Sequence, residues 1–182
     1  MEGKNVKRVL TFEIATAAIL MAINLLLSMF GIPVPGGGRL YLCDAAITVA
    51  GVLLSPFFAF VVGGVGSFLG DLMFFPAAMF ITLAAHGIEA ILISVFSHYV
   101  LKKHPLLASI LGLVVGGVIM VGIYALGSAF VYGTPGYALL SIPFDLLQVS
   151  VGGALGLILA YPLGLKKTYA RFLSSRLPKD KE

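Results

Sequence analysis

Long apolar stretches dominate the chain, and each is bounded by polar residues or by proline and glycine. They cover residues 10–30, 42–75, 77–101, 106–131 and 142–165. A helix that crosses a bilayer needs about 20 predominantly apolar residues, so each stretch is long enough to span. The pattern therefore predicts a bundle of membrane-spanning helices.

Composition supports this prediction. The 182 residues are 59% apolar and 11% charged, whereas a soluble domain carries about a quarter charged residues. The 22 glycines suit helices that pack closely in lipid. These values exclude a disordered chain, a disulfide-rich secreted scaffold and a nucleic-acid-binding module. The one cysteine, Cys43, cannot form an internal disulfide.

The stretch of residues 42–75 is too long for one ordinary span, and Ser55-Pro56 would divide it into two short helices. Basic residues collect on the cytoplasmic side of a membrane, so their distribution decides between five and six spans. The best five-span orientation leaves nine basic residues inside and three outside, whereas six spans leave only Arg39 outside. The eleven then inside are Lys4, Lys7, Arg8, Lys102, Lys103, Lys166, Lys167, Arg171, Arg176, Lys179 and Lys181.

We therefore predict an all-α integral membrane protein. It forms a bundle of six transmembrane helices with both termini in the cytoplasm, and residues 1–182 make a single domain. The first span lacks a small-residue cleavage site after it, so it is expected to remain in the protein.

Small residues recur at helical spacing, as expected where close contact replaces a hydrophobic drive between helices. Packing inside the bundle is the expected role of Gly63 with Ser67, Gly66 with Gly70, Gly112 with Gly116, and the series Gly152, Gly156, Ala160 and Gly164. On one face of the first span lie Ala15, Ala18 and Ala22. That face could pack internally or receive a helix of another protein, and composition leaves both open.

Five acidic residues fall in or beside the apolar stretches: Glu13, Asp44, Asp71, Glu89 and Asp145. An ionisable group there costs about 2.5–3.5 kcal/mol on insertion scales, so a functional role is the default interpretation. Glu13 is the exception. Near the cytoplasmic end of the first span it could pair with Lys7 or Arg8, which is a structural role.

Helical spacing groups the other polar residues. His86 and Glu89 are three residues apart and share a face near the middle of the fourth span. They form either a buried hydrogen bond that locks the bundle, or a binding site or proton relay. Asp145 and Gln148 make a second such pair in the sixth span, and Tyr124 adds an amphipathic ring in the fifth.

The predicted outer loops are polar and aromatic. Arg39 and Tyr41 precede the second span, and Tyr132 and Tyr137 bracket a turn before the sixth. We expect Arg39 to pair with Asp44 or with a bound anionic group. The inner half is expected to be apolar apart from Glu13. Together these residues predict a blind, outward-facing pocket for a small neutral or weakly charged heteroaromatic molecule.

Motifs of several enzyme classes are absent from the sequence. It contains no G-x-x-x-x-G-K-[ST], H-E-x-x-H or G-x-S-x-G, and no paired Cys/His ligand spacing. We therefore predict no catalytic residue, no metal ligand and no ATP hydrolysis by a phosphate loop on this chain. The internal repeats common in secondary transporters are not visible either.

Four segments in order resemble the substrate-binding S components of energy-coupling factor (ECF) vitamin transporters. They are PVPGGGRLYLCDA at 33–45, GGVGSFLGD at 63–71, HGIE at 86–89 and IPFDLLQ at 142–148. The likeness covers nearly the whole chain and is closest to the hydroxymethylpyrimidine- and riboflavin-type branch. It implies six helices with both ends inside.

The resemblance also implies partners. An S component captures a vitamin but cannot drive transport alone, since a transmembrane coupling protein and two cytoplasmic ATPases supply the energy. It topples in the bacterial cytoplasmic membrane to carry its pocket inward. The resemblance thus implies that ATP binds to the partner subunits and that this chain carries no cofactor. Ala18 and Ala22 match the family's alanine face for the coupling protein, which favours a partner interface for them and for Ala15.

Substrate contacts in the family come from the first outer loop and the outer parts of the last three spans. The residues here are Arg39, Tyr41, Asp44, His86, Glu89, Tyr132, Asp145 and Gln148, and Asp71 and Tyr124 complete the predicted site. Relatives often carry Lys at the position of His86 and Asn at that of Asp145. These departures change the charge that faces a ligand, so the family substrate does not carry over directly.

A carboxylate with a titratable histidine would suit an aminopyrimidine or a pyridine alcohol, such as hydroxymethylpyrimidine or pyridoxine. Riboflavin or another vitamin is the alternative ligand. Two other classes of protein stay open: a solitary proton-coupled transporter that uses His86 and Glu89 as a relay, and a scaffold subunit without a ligand.

Overall fold

The computed structural model describes residues 2–35 and 39–176, with side chains from residue 8 onward in the first helix. Its helices are α1 (Glu2–Met29), α2 (Cys43–Leu53), α3 (Pro56–Phe60), α4 (Gly66–Phe74), α5 (Met79–Tyr99), α6 (Pro105–Leu126), α7 (Pro135–Ala160) and α8 (Leu165–Arg176). After α1, the strands β1 (Ile32–Pro33) and β2 (Arg39–Leu40) pair antiparallel. Lys179, Lys181 and the side chains of Lys4, Lys7 and Arg176 lie outside what the structure describes.

Five helical segments of the described chain are long and apolar enough to cross a membrane. They are Arg8–Met29, Pro56–Phe74, Pro76–Tyr99, Pro105–Val131 and Pro135–Ala160. A sixth apolar helix, Cys43–Leu53, is shorter. Its 11 residues rise only about 16 Å, against a hydrocarbon core of about 30 Å. All of them are buried by other parts of the protein, so α2 contacts protein along its whole length.

The expected break of the second stretch is present. Leu54 and Ser55 are extended, and Pro56 begins α3 at a position that proline favours. Ile47 and Gly63 each lie eight residues from Ser55, and a Cβ at Gly63 would lie 3.2 Å from Ile47 Cγ2. Because residues equally far from the break are in contact, the two helices run antiparallel.

One π-helical segment, Val61–Val65, joins α3 to α4. A π turn interrupts the regular hydrogen bonds of an α-helix, and the side chain of Asn24 supplies a donor at this point. Its Nδ2 donates to Val62 O at 2.7 Å and to Ser67 Oγ at 3.1 Å. Asn24 is fully buried, so α1 is fastened to the interrupted helix through polar contacts inside the bundle.

The last long helix differs from the prediction at both ends. α7 begins at Pro135 instead of residue 142, and it continues through Pro143. Membrane helices tolerate an internal proline when neighbouring groups satisfy the freed carbonyl. α7 ends at Ala160, and Gly164 lies in the turn before α8 with a φ of 78°. The prediction of Gly164 as a helical packing step was therefore wrong, since glycine is needed there for the left-handed backbone.

Glu13 joins α1 to the turn between α2 and α3. Its Oε1 accepts a hydrogen bond from the Ser55 backbone N at 3.0 Å, and its Oε2 accepts from Ser55 Oγ at 3.3 Å. A carboxylate is favourable at this point because the N-terminus of α3 carries partial positive charge. Ser55 is a partner that the sequence did not indicate.

Glycines bring the helices close around three ionisable residues. A Cβ at Gly152 of α7 would lie 2.7 Å from Asp44 Cβ, and one at Gly116 of α6 would lie 3.3 Å from Glu89 Cγ. A Cβ at Gly63 would lie 2.8 Å from the carbonyl oxygen of His86. The small residues thus set the separation of α6, α7 and the α3–α4 segment from α2 and α5.

α1 covers the bundle with only one of its faces. Asn24 and Ser28 are buried against α4, where a Cβ at Gly70 would lie 2.8 Å from Ser28 Cβ. Ala15, Ala18 and Ala22 are exposed on the other side of the helix. These three alanines do not pack inside the described bundle.

We predict that Gly152→Ala destabilises the protein, because the new methyl group would clash with Asp44 Cβ. Overpacking of this kind costs about 1–3 kcal/mol. Gly122→Ala in α6 is the matched control, since nothing lies within 4 Å of a Cβ there. Thermal unfolding in detergent should show a lower midpoint for Gly152→Ala and an unchanged or higher one for Gly122→Ala. An equal lowering of the unfolding midpoint in both variants would contradict the packing argument.

Candidate functional site

A cavity of about 330 Å³ lies at the end of the bundle where β2, α4, α5, α6 and α7 meet. Seven of the ten predicted site residues line it: Arg39, Tyr41, Asp71, Tyr124, Tyr132, Asp145 and Gln148. They come from the first loop, from the helices α4, α6 and α7, and from the turn before α7, so the sequence pattern groups residues that the fold brings together. The other three predicted residues, Asp44, His86 and Glu89, are not part of the lining.

Asp71 is held in the cavity wall by a chain of hydrogen bonds. Thr82 Oγ1 donates to Asp71 Oδ2, and the hydroxyl of Tyr124 donates to Thr82 Oγ1 at 2.8 Å. The three residues come from α4, α5 and α6, so the chain crosses the wall from helix to helix. One oxygen of Asp71 is therefore already occupied within the protein.

Gln148 anchors the first loop above the cavity. Its Oε1 accepts a hydrogen bond from the Tyr41 backbone N at 2.9 Å, across 107 residues of sequence. This contact fixes the point at which the chain leaves β2 and enters α2. The side chain of Tyr41 is thereby held at the cavity.

Two buried polar atoms of the lining have no hydrogen-bond partner among residues 8–35 and 39–176. They are the hydroxyl oxygen of Tyr41 and Oδ2 of Asp145. Burial, with a smaller contribution from Asp71, raises the pKa of Tyr41 to about 12, so its phenol keeps its proton at neutral pH. A buried polar group left unpaired costs about 1–3 kcal/mol. A ligand or water in the cavity can satisfy both atoms.

A second polar centre lies behind the lining. His86 Nδ1 is 2.9 Å from Glu89 Oε2 and 3.6 Å from Asp44 Oδ1. Asp44 and Glu89 are fully buried, and His86 is 2% exposed. The expected pairing of Asp44 with Arg39 was wrong, because Asp44 faces His86 inside the bundle while Arg39 is exposed at the cavity.

Tyr124 links the two centres. It lines the cavity, and its ring lies edge-on to the imidazole of His86 with a centroid distance of 5.7 Å. The buried centre is therefore separated from the cavity by one side chain in this direction.

The opposite end of the bundle has its own polar groups. A second cavity of about 290 Å³ is lined in part by Glu13, Ser55, His98, Lys166 and Tyr169, and it shares no lining residue with the first. Nearby hydroxyls are joined by the contacts Ser97–Ser109, Ser109–Tyr161 and Lys166–Tyr161. The prediction that the inner half is apolar apart from Glu13 was therefore wrong. The hydroxyls of Ser97, Ser109 and Tyr161 contact one another there, and Lys166 Nζ donates to the Tyr161 hydroxyl.

Sequence reasoning missed the hydroxyl residues of the first cavity. Thr82, Ser128, Thr134 and Ser141 line it, but isolated Ser and Thr are ordinary in membrane helices and carry no signal of depth. Thr82 could have been predicted from the sequence, because it lies four residues before His86 and therefore on the same side of α5. Tyr137, noted at the loop, also lines the cavity.

The described chain is thus a bundle of apolar helices, five of them long enough to cross a membrane, with a cavity of polar and apolar side chains at one end. A family model described as "ECF-type riboflavin transporter, S component" matches residues 9–167. The chain belongs to this family of transport components and is not an enzyme.

Two other similarities agree with this assignment. An "Uncharacterized protein in gap 3'region" of Pyrococcus woesei is 32% identical over 148 residues, covering 79% of this chain and 97% of that protein. A solved chain from "Structure and mechanism of the S component of a bacterial ECF transporter" aligns with a TM-score of 0.64 at 20% identity. The alignment covers 88% of this chain and 96% of that one, and at this identity it establishes the shared fold alone.

Proposed function

We propose that this chain captures a small vitamin or vitamin precursor in the 330 Å³ cavity and delivers it to an energised partner complex. The observation that carries the proposal is the pair of unpartnered buried atoms in the lining, Tyr41 Oη and Asp145 Oδ2. A ligand that offers a donor to Asp145 and an acceptor to Tyr41 would satisfy both. The volume lies near the lower end of the range for small-molecule sites, about 300–1,000 Å³.

The lining supports a small heteroaromatic ligand. Tyr41, Tyr124, Tyr132 and Tyr137 supply ring faces and edges. Asp145 provides a carboxylate for an exocyclic amine or hydroxyl, and Arg39 is the lone cation of the lining. Hydroxymethylpyrimidine and pyridoxine combine a compact ring with such groups. Riboflavin, which the family description names, is the alternative and would need more of the available volume.

Charge placement supports an outward-facing cavity in the cytoplasmic membrane. At the end opposite the cavity, Tyr161 Oη donates to Pro105 O at 2.8 Å and Lys166 lies 3.1 Å from Tyr161 Oη. The rings of Phe12 and Tyr169 pack together at the same end, with a centroid distance of 5.1 Å. The basic residues near these contacts include Arg8, Lys102, Lys103, Lys166, Lys167 and Arg171. Because basic residues mark the cytoplasmic side, the cavity end with Arg39 would face outside.

That orientation includes α2 as a sixth, shortened span between the first loop and Ser55. Its complete burial supports this role, since a helix surrounded by protein need not match the lipid thickness. The start of α1 and helix α8 would then lie on the cytoplasmic side.

The exposed alanines support a partner interface on α1. Ala15, Ala18 and Ala22 leave a smooth strip on the outer face of the helix, and small residues let a neighbouring helix approach closely in lipid. The chain has no phosphate-binding loop. We infer that a transmembrane coupling protein docks on this strip and that two cytoplasmic ATPases supply the energy for reorientation.

A solitary proton-coupled transporter is less well supported by the geometry. A relay needs titratable groups that continue from one side to the other. On α5, the fully buried Ile93 lies between Glu89 and His98, and the two cavities share no residue. The buried cluster therefore reaches toward one cavity only.

Orientation is tested by labelling with an impermeant maleimide in intact cells. We expect Tyr132→Cys, at the 41% exposed cavity rim, to react from outside, and Lys103→Cys to react only after permeabilisation. The wild-type chain is the control, because its Cys43 is buried and should stay unlabelled. Labelling of Lys103→Cys in intact cells would reverse the proposed orientation.

Ligand identity is tested by titrating detergent-purified protein with pyridoxine, hydroxymethylpyrimidine, thiamin and riboflavin in a calorimeter. We expect one of the first two to bind. Asp145→Asn should weaken binding by about tenfold or more, since a hydrogen bond to a charged group contributes about 1.5–3 kcal/mol. Glu13→Gln, which changes a carboxylate at the other end, should bind like wild type. Binding of riboflavin alone would replace the ligand assignment, and binding of none would contradict the capture role.

The partner interface is tested by co-expression with a coupling protein and two ATPases. We expect Ala18→Leu to reduce the amount of partner that co-purifies with the chain several-fold, because the larger side chain separates the two helices. Ala154→Leu is the matched control, an exposed alanine on α7. Equal recovery of partners with both variants would argue against docking at the alanine strip.

A further inference from the structure

The buried cluster behind the cavity has a donor set of its own. We propose that Asp44, His86 and Glu89 bind one divalent transition-metal ion of the Zn²⁺ or Mn²⁺ type inside the bundle. The proposal departs from the expectation that the chain has no metal ligand. It does not depend on which molecule the cavity takes.

Distances between the donor atoms fit a single ion. One ligand atom from each residue can be chosen so that all three lie within 4.8 Å of one another. His86 Nδ1 is 2.9 Å from Glu89 Oε2 and 3.6 Å from Asp44 Oδ1. Nitrogen and oxygen ligands that share a tetrahedral ion at about 2.0–2.2 Å lie about 3.3–3.6 Å apart. Small side-chain adjustments would therefore bring all three into coordination.

Two buried carboxylate oxygens of the cluster are free to coordinate a cation. Asp44 Oδ1 and Glu89 Oε1 are buried without a hydrogen-bond partner in the described part of the chain, although Asp44 Oδ1 faces the imidazole. Both residues are 0% exposed. Two carboxylates with one imidazole leave net negative charge in an apolar interior, where an unpaired charge is strongly unfavourable. A divalent ion would neutralise both carboxylates and take up the free oxygens.

The surroundings suit a closed site. Gly116 and Gly152 allow α6 and α7 to press on Glu89 and Asp44, where a side chain on either glycine would fill the space. Tyr124 contacts His86 and also lines the cavity, so the shortest entry route passes its ring. One imidazole with two carboxylates is a borderline-to-hard donor set, which favours Zn²⁺ or Mn²⁺ over Cu⁺.

Protons could neutralise the cluster in place of a metal ion. An imidazolium with one proton shared between the carboxylates would also neutralise the cluster. His86 Nδ1 can donate one hydrogen bond, which Glu89 Oε2 accepts at 2.9 Å, while Asp44 Oδ1 lies 3.6 Å from that nitrogen, beyond hydrogen-bond distance. A metal ion uses the nitrogen and both oxygens at once, which is why we favour it.

The test is metal retention by detergent-purified protein after incubation with Zn²⁺ or Mn²⁺ and removal of excess by desalting. We expect about one equivalent on the wild type by mass spectrometry. Glu89→Gln keeps the shape of the side chain but should lower affinity at least about tenfold. Asp145→Asn is the matched control, since it removes a cavity carboxylate and leaves the cluster intact, and it should retain the ion.

A second readout uses the wild type alone and so does not depend on how a variant folds. Zn²⁺ or Mn²⁺ should raise the thermal unfolding midpoint relative to EDTA, because an ion that binds only the folded state stabilises it. The proposal is overturned if the wild type retains neither metal and its midpoint does not move. It is also overturned if Glu89→Gln retains metal as the wild type does, since the ion would then be elsewhere.

Discussion

Burial of ionisable side chains among apolar helices is the constraint on which this structure depends. In lipid, helices gain little from hydrophobic contact, and close packing must hold them together. Here glycines of α6, α7 and the α3–α4 segment bring their helices close to Asp44, His86 and Glu89. α2 is fully enclosed for the same reason. This helix, shorter than the five candidate spans, thus carries a carboxylate, Asp44, that is kept away from lipid.

The helix α5 arranges the polar groups by depth. From Thr82 to His98 it rises about 24 Å, passing the cavity wall, the buried cluster, the apolar Ile93 and then the second cavity. Polar centres at the two ends are therefore separated by a packed apolar layer. A bundle of this form can hold a ligand at one end without offering it a path to the other. Under the proposed function, movement of a ligand across the membrane would therefore involve the whole subunit.

The sequence predicted the features that arise within one segment. The break at Ser55-Pro56, the glycine spacing and the placement of acidic residues in apolar stretches each depend on neighbours a few residues apart. The sequence also grouped seven residues that line one cavity, but it missed individual side-chain partners that depend on contacts between helices. Asp44 meets His86 rather than Arg39, and Glu13 meets Ser55, because the partner is chosen by helix packing. The buried cluster has no sequence motif, since Asp44 lies on α2 and 42 positions before His86 on α5.

Hydrogen bonding within the wall decides which cavity groups remain for a ligand. Asp71 was predicted as a contact on the same grounds as Asp145, yet Thr82 donates to one Asp71 oxygen and Tyr124 supports Thr82. Asp145 Oδ2 and Tyr41 Oη lack such partners within the described residues. The two carboxylates therefore differ in hydrogen bonding although both line the cavity. Asp71 is tied to α5 and α6 through Thr82 and Tyr124, whereas Asp145 on α7 keeps one unpartnered oxygen, which is why the proposed function assigns recognition to it.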